Sequence, residues 1–250
     1  WPLMVERYVA LAYDKGIMRT AQDLPQPLLW PQLQVSEGEK SYTCNQFSLS
    51  SERPMIGFCP GAEFGPAKRW PHYHYAELAK QLIDEGYQVV LFGSAKDHEA
   101  GNEILAALNT EQQAWCRNLA GETQLDQAVI LIAACKAIVT NDSGLMHVAA
   151  ALNRPLVALY GPSSPDFTPP LSHKARVIRL ISGYHKVRKG DAAEGYHQSL
   201  IDITPQRVLE ELNDLLLEKT TRQDQEIQDL QTLINQKRLA QSQQTVTQQS

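Results

Sequence analysis

Between Pro54 and Leu217 the apolar positions switch repeatedly between two spacings. Short, nearly continuous apolar runs occur from Met55 to Cys59, Tyr87 to Phe92, Ala137 to Thr140 and Leu156 to Tyr160. Such runs, bounded by Gly, Pro or polar residues, predict strands covered on both faces. A more polar strand is expected near Cys116 to Leu119, and a last one from Val177 to Ile181. Between the runs the spacing becomes helical. Tyr75, Leu78, Leu82 and Ile83 share one face of a helix that Gly86 ends, and further helices are expected from Glu99 to Leu108 and, capped by Thr123, from Leu125 to Cys135. Another follows the Asn141-Asp142-Ser143-Gly144 turn, and Thr204-Pro205 opens a closing helix that reaches about Leu217, with proline in the first turn where its missing N–H costs nothing. Strands alternating with helices predict βαβ units, hence an α/β unit with a mostly parallel sheet and helices on both faces.

The two ends break this rhythm. Val5, Tyr8, Val9 and Ala12 mark a helix ending near Gly16, three prolines between Leu24 and Pro31 make an extended connection, and Ser36 followed by Glu39 fits a capping box opening a short helix. Residues 1–53 read as the remnant of an upstream unit plus a linker, and a chain that starts Trp1-Pro2 without Met is expected to be part of a longer protein. Residues 54–217 form the α/β domain. From Lys219 onward there is no Gly, Pro or aromatic residue, while Gln occurs ten times, so 218–250 is expected to be disordered or marginally helical. Ile227, Leu230, Leu233 and Ile234 recur at helical spacing there, too briefly for a coiled coil.

Composition narrows the function. The 250 residues carry 23 Lys plus Arg against 28 Asp plus Glu, a net charge of −5, which disfavours a dedicated nucleic-acid binder. Cys44, Cys59, Cys116 and Cys135 form neither a C-x-x-C pair nor a dense framework, so free thiols in a reducing compartment are expected. The longest apolar run, from Ala128 to Cys135, is far below the ~20 residues of a transmembrane helix. No metal-ligand spacing, G-x-G-x-x-G, Walker motif or G-x-S-x-G is present, which leaves a metalloenzyme, a dinucleotide enzyme, a P-loop NTPase and a serine hydrolase unsupported.

In open parallel sheets ligands bind beyond the carboxyl ends of the strands, and those loops hold the distinctive residues. After the first strand runs Pro60-Gly61-Ala62-Glu63-Phe64-Gly65-Pro66-Ala67-Lys68-Arg69-Trp70-Pro71; after the second, Gly93-Ser94-Ala95-Lys96-Asp97; after the fourth, Asn141 to His147; after the fifth, Gly161-Pro162-Ser163-Ser164-Pro165. All four are expected on one edge. Asp142, Ser143 and Gly144 precede a helix whose free N–H groups and dipole suit a phosphate, and His147 lies one turn further on; a plain helix cap with a surface histidine is an equally good reading. Lys68 and Arg69 offer positive charge to a pyrophosphate or form a solvated surface pair. Asp97 could accept hydrogen bonds from ribose hydroxyls, or serve as a carboxylate at a helix start.

Taken together, the segment from Pro60-Gly61 to Lys68-Arg69-Trp70-Pro71, the Phe92-Gly93-Ser94 turn, the run from Thr140 through Asn141-Asp142-Ser143-Gly144-Leu145-Met146-His147 to Ala150, and Pro155 to Ser163 resemble the ADP-heptose:lipopolysaccharide heptosyltransferases. The resemblance covers about Trp1 to Leu217 and stops at the Gln-rich tail. It implies a GT-B glycosyltransferase, of which residues 54–217 are the Rossmann-like domain that binds the nucleotide-sugar donor. By motif position it implies donor phosphate contact from Lys68, a ribose neighbour in Asp97, and Asp142, Ser143, Gly144 and His147 at the pyrophosphate and heptose end. Glu63 and Phe64 stand where some relatives have small hydroxyl residues, so any phosphate contact there falls to the backbone. The implied reaction is inverting and uses no metal or other cofactor. Its partners are ADP-heptose and, through the upstream domain, the lipopolysaccharide inner core; the setting is cytoplasmic, with peripheral association at the inner membrane. The family's proposed base, an Asp near its amino terminus, has no counterpart in these residues, so no catalytic residue is expected here. A non-catalytic nucleotide-sugar module and a GT-B epimerase acting on UDP sugars stay open as alternatives.

Overall fold

The computed structural model of this protein describes residues 3–14, 16–63, 65–183, 187 and 190–218. The chain divides into two compact units, 1–212 and 213–250. In the second, only 213–218 are described, and they are helical. The tail with Ile227, Leu230, Leu233 and Ile234 lies outside the described residues, as does Phe64.

The first unit is built on a six-stranded sheet. Its strands are β1 (Met55–Cys59), β2 (Gln88–Leu91), β3 (Cys116–Asn118), β4 (Ala137–Asn141), β5 (Leu156–Tyr160) and β6 (Ala175–Arg179), in spatial order β3-β2-β1-β4-β5-β6 with every neighbouring pair parallel. This is the order of a doubly wound Rossmann-like sheet, whose direction of winding reverses between β1 and β4. Strand-to-strand connections of one hand then place helices on opposite faces on either side of that reversal. Accordingly α3 (His72–Asp84) and α4 (His98–Ala106) pack together, while α2 (Glu37–Gln46), α6 (Leu125–Ala134) and α7 (Gly144–Ala151) pack together.

The period-two rule assigns each strand residue to one of these layers. On the α6–α7 side Cys59, Val90, Phe92, Ile138, Leu156, Ala158 and Tyr160 form one buried cluster with Leu131, Ile132, Met146 and Ala149. On the other side Phe58 meets Tyr75 of α3, ring centroids 5.2 Å apart, beside fully buried Ile56, Leu78, Leu82, Val89 and Leu91. Strands covered on both faces explain why the sequence shows apolar runs and not alternation.

Several predicted bounds shift. The final strand starts two residues before the expected Val177, since Ala175 and Arg176 pair with Leu156 and Val157. The cap of α6 is Gln124, not Thr123. A short helix, α5 (Thr110–Gln113), was not anticipated; the Asn109 side chain accepts the Gln112 N–H and starts it. The amino-terminal helix, α1 (Met4–Ala10), ends well short of Gly16 and buries none of its residues, with Tyr8 65% exposed. The expected capping box does form. The Ser36 N–H donates to Glu39 Oε2 at 2.8 Å and the Glu39 N–H to Ser36 Oγ at 3.2 Å. A short helix, α8 (Gln198–Ile201), precedes the closing helix α9, which covers 205–218.

At the β1/β4 reversal stands one fully buried amide. Asn141 Oδ1 accepts the Trp70 N–H at 3.1 Å and the Tyr75 hydroxyl at 3.1 Å, while its Nδ2 donates to the Pro60 carbonyl at 2.7 Å. The Trp70 indole N–H in turn donates to the Ile203 carbonyl at 2.8 Å, and its ring stands edge-on to Tyr75. One side chain thus fixes both ends of the long post-β1 loop to the end of β4. Asn141→Ala leaves three buried polar groups without that partner, each costing about 1–3 kcal/mol. We expect it to lower stability by at least about 3 kcal/mol in urea unfolding, whereas a loss under about 1 kcal/mol would show that the loop is held by packing alone.

Candidate active site

Parallel strands carry the loops after β1, β2, β3 and β4 to one edge, and there they enclose a cavity of about 550 Å³. Its walls come from Gly61, Ala62 and Glu63 after β1; Gly93, Ser94 and Asp97 after β2; 123–125 ahead of α6; and Ser143 with Gly144 at the start of α7. Phe92, Leu125, Ala128, Leu145 and Val148 give it an apolar side, and Cys59 contributes to its base. Burial, against a hydrogen bond with Thr140, pushes the Cys59 thiol up to about 12, so it stays protonated and unreactive at neutral pH.

Of the six residues singled out in the sequence, Asp97, Ser143 and Gly144 line this cavity, and Lys68, Asp142 and His147 do not. Lys68 and Asp142 are nevertheless joined. Lys68 Nζ lies 2.8 Å from Asp142 Oδ2 in a largely shielded ion pair, the two side chains 22% and 10% exposed. Lys68 sits in a 3₁₀ turn (Pro66–Lys68) and Asp142 directly follows β4, so residues 74 positions apart meet only because β1 and β4 are neighbours. A charge-assisted bond of this length holds the ammonium at the mouth of the post-β4 loop.

Asp97 is held firmly. Its Oδ2 accepts the Ser94 N–H at 2.9 Å and the Ser94 hydroxyl at 2.8 Å, and Arg69 approaches its Oδ1 at 3.4 Å. The carboxylate sits against the α-carbons of Gly61 and Gly93, where a Cβ would come within 2.5 and 2.8 Å of Asp97 atoms. Those two glycines are required by close approach. Asp97 is therefore the turn carboxylate at a helix start and also a wall of the cavity.

Ser143 caps α7 by position, with extended backbone and no side-chain cap hydrogen bond. Gly144 is exposed, and a Cβ there would touch nothing. Ser143 and Gly144 both line the cavity, so α7 begins at its wall, one residue beyond Asp142. His147 sits on the outer face of α7, where partial shielding of its ring lowers its pKa while the Asp142 charge pulls it upward, so the neutral imidazole prevails at neutral pH.

The sequence reading placed the loop after β5 with the other three, yet it contributes nothing to the cavity lining. Neither the partners of Asn141 nor the cavity-facing placement of residues 123–125 is legible in the sequence. Asn141 was visible only as one letter of a turn, and Thr123 only as a cap. The signal that could have found Asn141 is an amide ending a strand that is otherwise apolar but for Thr140. Among the described residues no group of three His, Cys, Asp or Glu side chains converges as a metal site, and no helix is long and apolar enough to cross a membrane.

Comparison with known proteins agrees with this architecture. Residues 1–197 match glycosyltransferase family 9 (heptosyltransferase). Lipopolysaccharide heptosyltransferase 2 of Escherichia coli strain K12 is 98% identical over 219 residues, 88% of this chain and 63% of the relative. Lipooligosaccharide heptosyltransferase 2 of Haemophilus influenzae is 62% identical over 221 residues, 86% of this chain and 63% of the relative. The solved structure of E. coli ADP-heptose lipopolysaccharide heptosyltransferase II superposes with a TM-score of 0.83 at 93% identity, covering 88% of this chain and 63% of that one. The chain spans 63% of the length of these relatives, and its sheet is a Rossmann-like unit of a GT-B glycosyltransferase. With the match running through every loop that builds the cavity, the chain belongs to glycosyltransferase family 9, the heptosyltransferase family.

Proposed function

We propose that this chain is the donor-binding part of a glycosyltransferase that moves heptose from ADP-L-glycero-D-manno-heptose to the lipopolysaccharide inner core, adding its second heptose. The observation that carries the reading is the family match through the cavity loops, with two relatives named heptosyltransferase 2 at 98% and 62% identity. Residues 54–217 make up the donor domain, and residues 1–53 lead into it. The acceptor is held by the part of the relatives' length that this chain does not span. Work on a lipid-linked acceptor fits the cytoplasmic face of the inner membrane, with peripheral attachment.

The site's chemistry supports a nucleoside diphosphate. The adenine lies against the apolar side formed by Phe92, Leu125, Ala128, Leu145 and Val148. The ribose faces Asp97. The pyrophosphate takes the N–H groups at Ser143 and Gly144 together with the Lys68 ammonium, and the heptose lies toward Asp142 and His147. In the transfer, an acceptor hydroxyl gives its proton to a base and attacks the anomeric carbon from the side opposite ADP. The bond from that carbon to the pyrophosphate oxygen breaks, and the charge gathered on ADP is stabilised by Lys68 and the helix start. Asp142 is anionic, so it serves the sugar hydroxyls and not the phosphate.

The Lys68–Asp142 pair gives this assignment a sign. Phosphate must draw Lys68 away from a carboxylate, so the two residues act in opposite directions on ADP affinity. Calorimetry should show Lys68→Ala weakening ADP binding about tenfold or more. Asp142→Asn should leave it unchanged or up to a few-fold tighter, because a carboxylate no longer competes with phosphate for the ammonium. Equal weakening by both would place Asp142 on the nucleotide and overturn the division of roles.

A second expectation concerns turnover. The purified chain should bind ADP-heptose yet form no product with a heptosylated acceptor, because the base lies outside it. Activity should appear only with a protein that also carries the remaining length of the relatives. Robust transfer by this chain alone would move the base into these 250 residues. Failure of the longer protein to transfer, with donor binding intact, would favour a non-catalytic nucleotide-sugar module.

A further inference from the structure

Arg69 follows Lys68 in the post-β1 loop but occupies a different environment. Its backbone is pinned from the next residue, since Trp70 is tied to Asn141 and Ile203. Its guanidinium reaches across to the post-β2 loop, where one NH2 stands 3.4 Å from Asp97 Oδ1. Its Nε is buried and has no hydrogen-bond partner among the described residues. The side chain as a whole is 27% exposed.

The asymmetry of this contact is informative. A guanidinium paired with a carboxylate frequently presents its fork with two parallel bonds. Here a single arm makes a long contact while a buried donor stays idle. A buried unpaired donor in a native fold calls for an explanation. Meanwhile the opposite oxygen of Asp97 already takes two bonds from Ser94, whereas Oδ1 takes only the Arg69 arm, and the bare α-carbons of Gly61 and Gly93 admit the carboxylate as a whole. Only Oδ1 retains freedom to take a new partner, and Arg69 is the group that faces it. Asp97 is also the acidic residue beyond the second strand, where Rossmann-like sites hold a ribose, and it lines the cavity.

We propose that Arg69 is the positioning residue for Asp97, holding its Oδ1 toward the ribose hydroxyls of the bound nucleoside diphosphate. Because a single arm occupies Oδ1, that oxygen keeps a lone pair for a ribose hydroxyl, which a second arm from Nε–H would take. The inference rests on the donor-site reading above and adds to it a residue that sets recognition of the ribose. Arg69 touches neither the phosphate nor the reacting carbon in this role, which separates it from its neighbour Lys68.

The test uses the whole chain and two probes, ADP and 2′,3′-dideoxy-ADP, measured by calorimetry. The wild-type chain should prefer ADP by about tenfold or more, the value of hydrogen bonds to a charged acceptor. Arg69→Gln should reduce that preference to within about twofold while dideoxy-ADP affinity stays within about twofold of wild type. Arg69→Lys should keep an intermediate preference, since an ammonium restores the charge but not the fork, and Asp97→Asn should lose the preference as Arg69→Gln does. Full preference in Arg69→Gln, or equal weakening toward both nucleotides, would overturn the inference and leave Arg69 a structural residue. A wild-type chain that binds both nucleotides equally, or an Asp97→Asn variant that still prefers ADP, would remove the ribose contact on which it depends. No ADP binding by the wild-type chain would instead overturn the donor-site reading itself.

Discussion

The buried side-chain amide of Asn141 is the constraint on which the site depends. At the reversal point of a doubly wound sheet, two neighbouring strands send their connections to opposite faces, and the gap between those connections is the ligand crevice. A gap is useful only if its walls are fixed. Asn141 fixes them by joining the end of β4 to Pro60 at the start of the post-β1 loop and to Trp70 and Tyr75 at its end. A hydrophobic residue there could fill the volume but could not satisfy two donors and an acceptor at once. The adjoining residues Lys68, Arg69 and Asp142 inherit their positions from this anchor.

The charges around the crevice follow one logic. The whole chain is acidic, at −5, but its cationic groups at this edge are held by carboxylates from other loops: Lys68 by Asp142 and Arg69 by Asp97. Each pair joins the post-β1 loop to a different neighbour, one across the reversal and one along the β2 side. Ligand-free, the pairs neutralise charges that would otherwise be costly in a shielded place. On the proposed donor reading, they are preplaced groups whose partners an anionic ligand would exchange with little reorganisation.

Much of the fold was legible in the sequence. Apolar runs separated by amphipathic helices identified four of the six strands and the α/β class, because strands covered on both faces leave a dense local signature. The exceptions have physical causes. The face of α1 suggested by Val5, Tyr8 and Val9 is real in pattern, yet no described residue of that helix is buried. The start of β6 was misplaced because its exposed, mixed residues carry little periodicity, and pairing with β5 decides it. In the site, the residue types were readable from loop motifs, but their partnerships were not. That Lys68 meets Asp142, 74 residues away, depends on strand order, which local spacing does not encode. The role of Gly61 and Gly93 in admitting the Asp97 carboxylate is likewise a product of three loops meeting.

The reading proposed for this sheet edge is that it holds an ADP-linked sugar. Its most direct test is titration of the chain with ADP and with UDP under the same conditions, followed by calorimetry. The account predicts saturable one-to-one binding of ADP and at least about tenfold weaker binding of UDP, since the purine covers the apolar side of the cavity more fully. Equal affinity, or a preference for UDP, would contradict it.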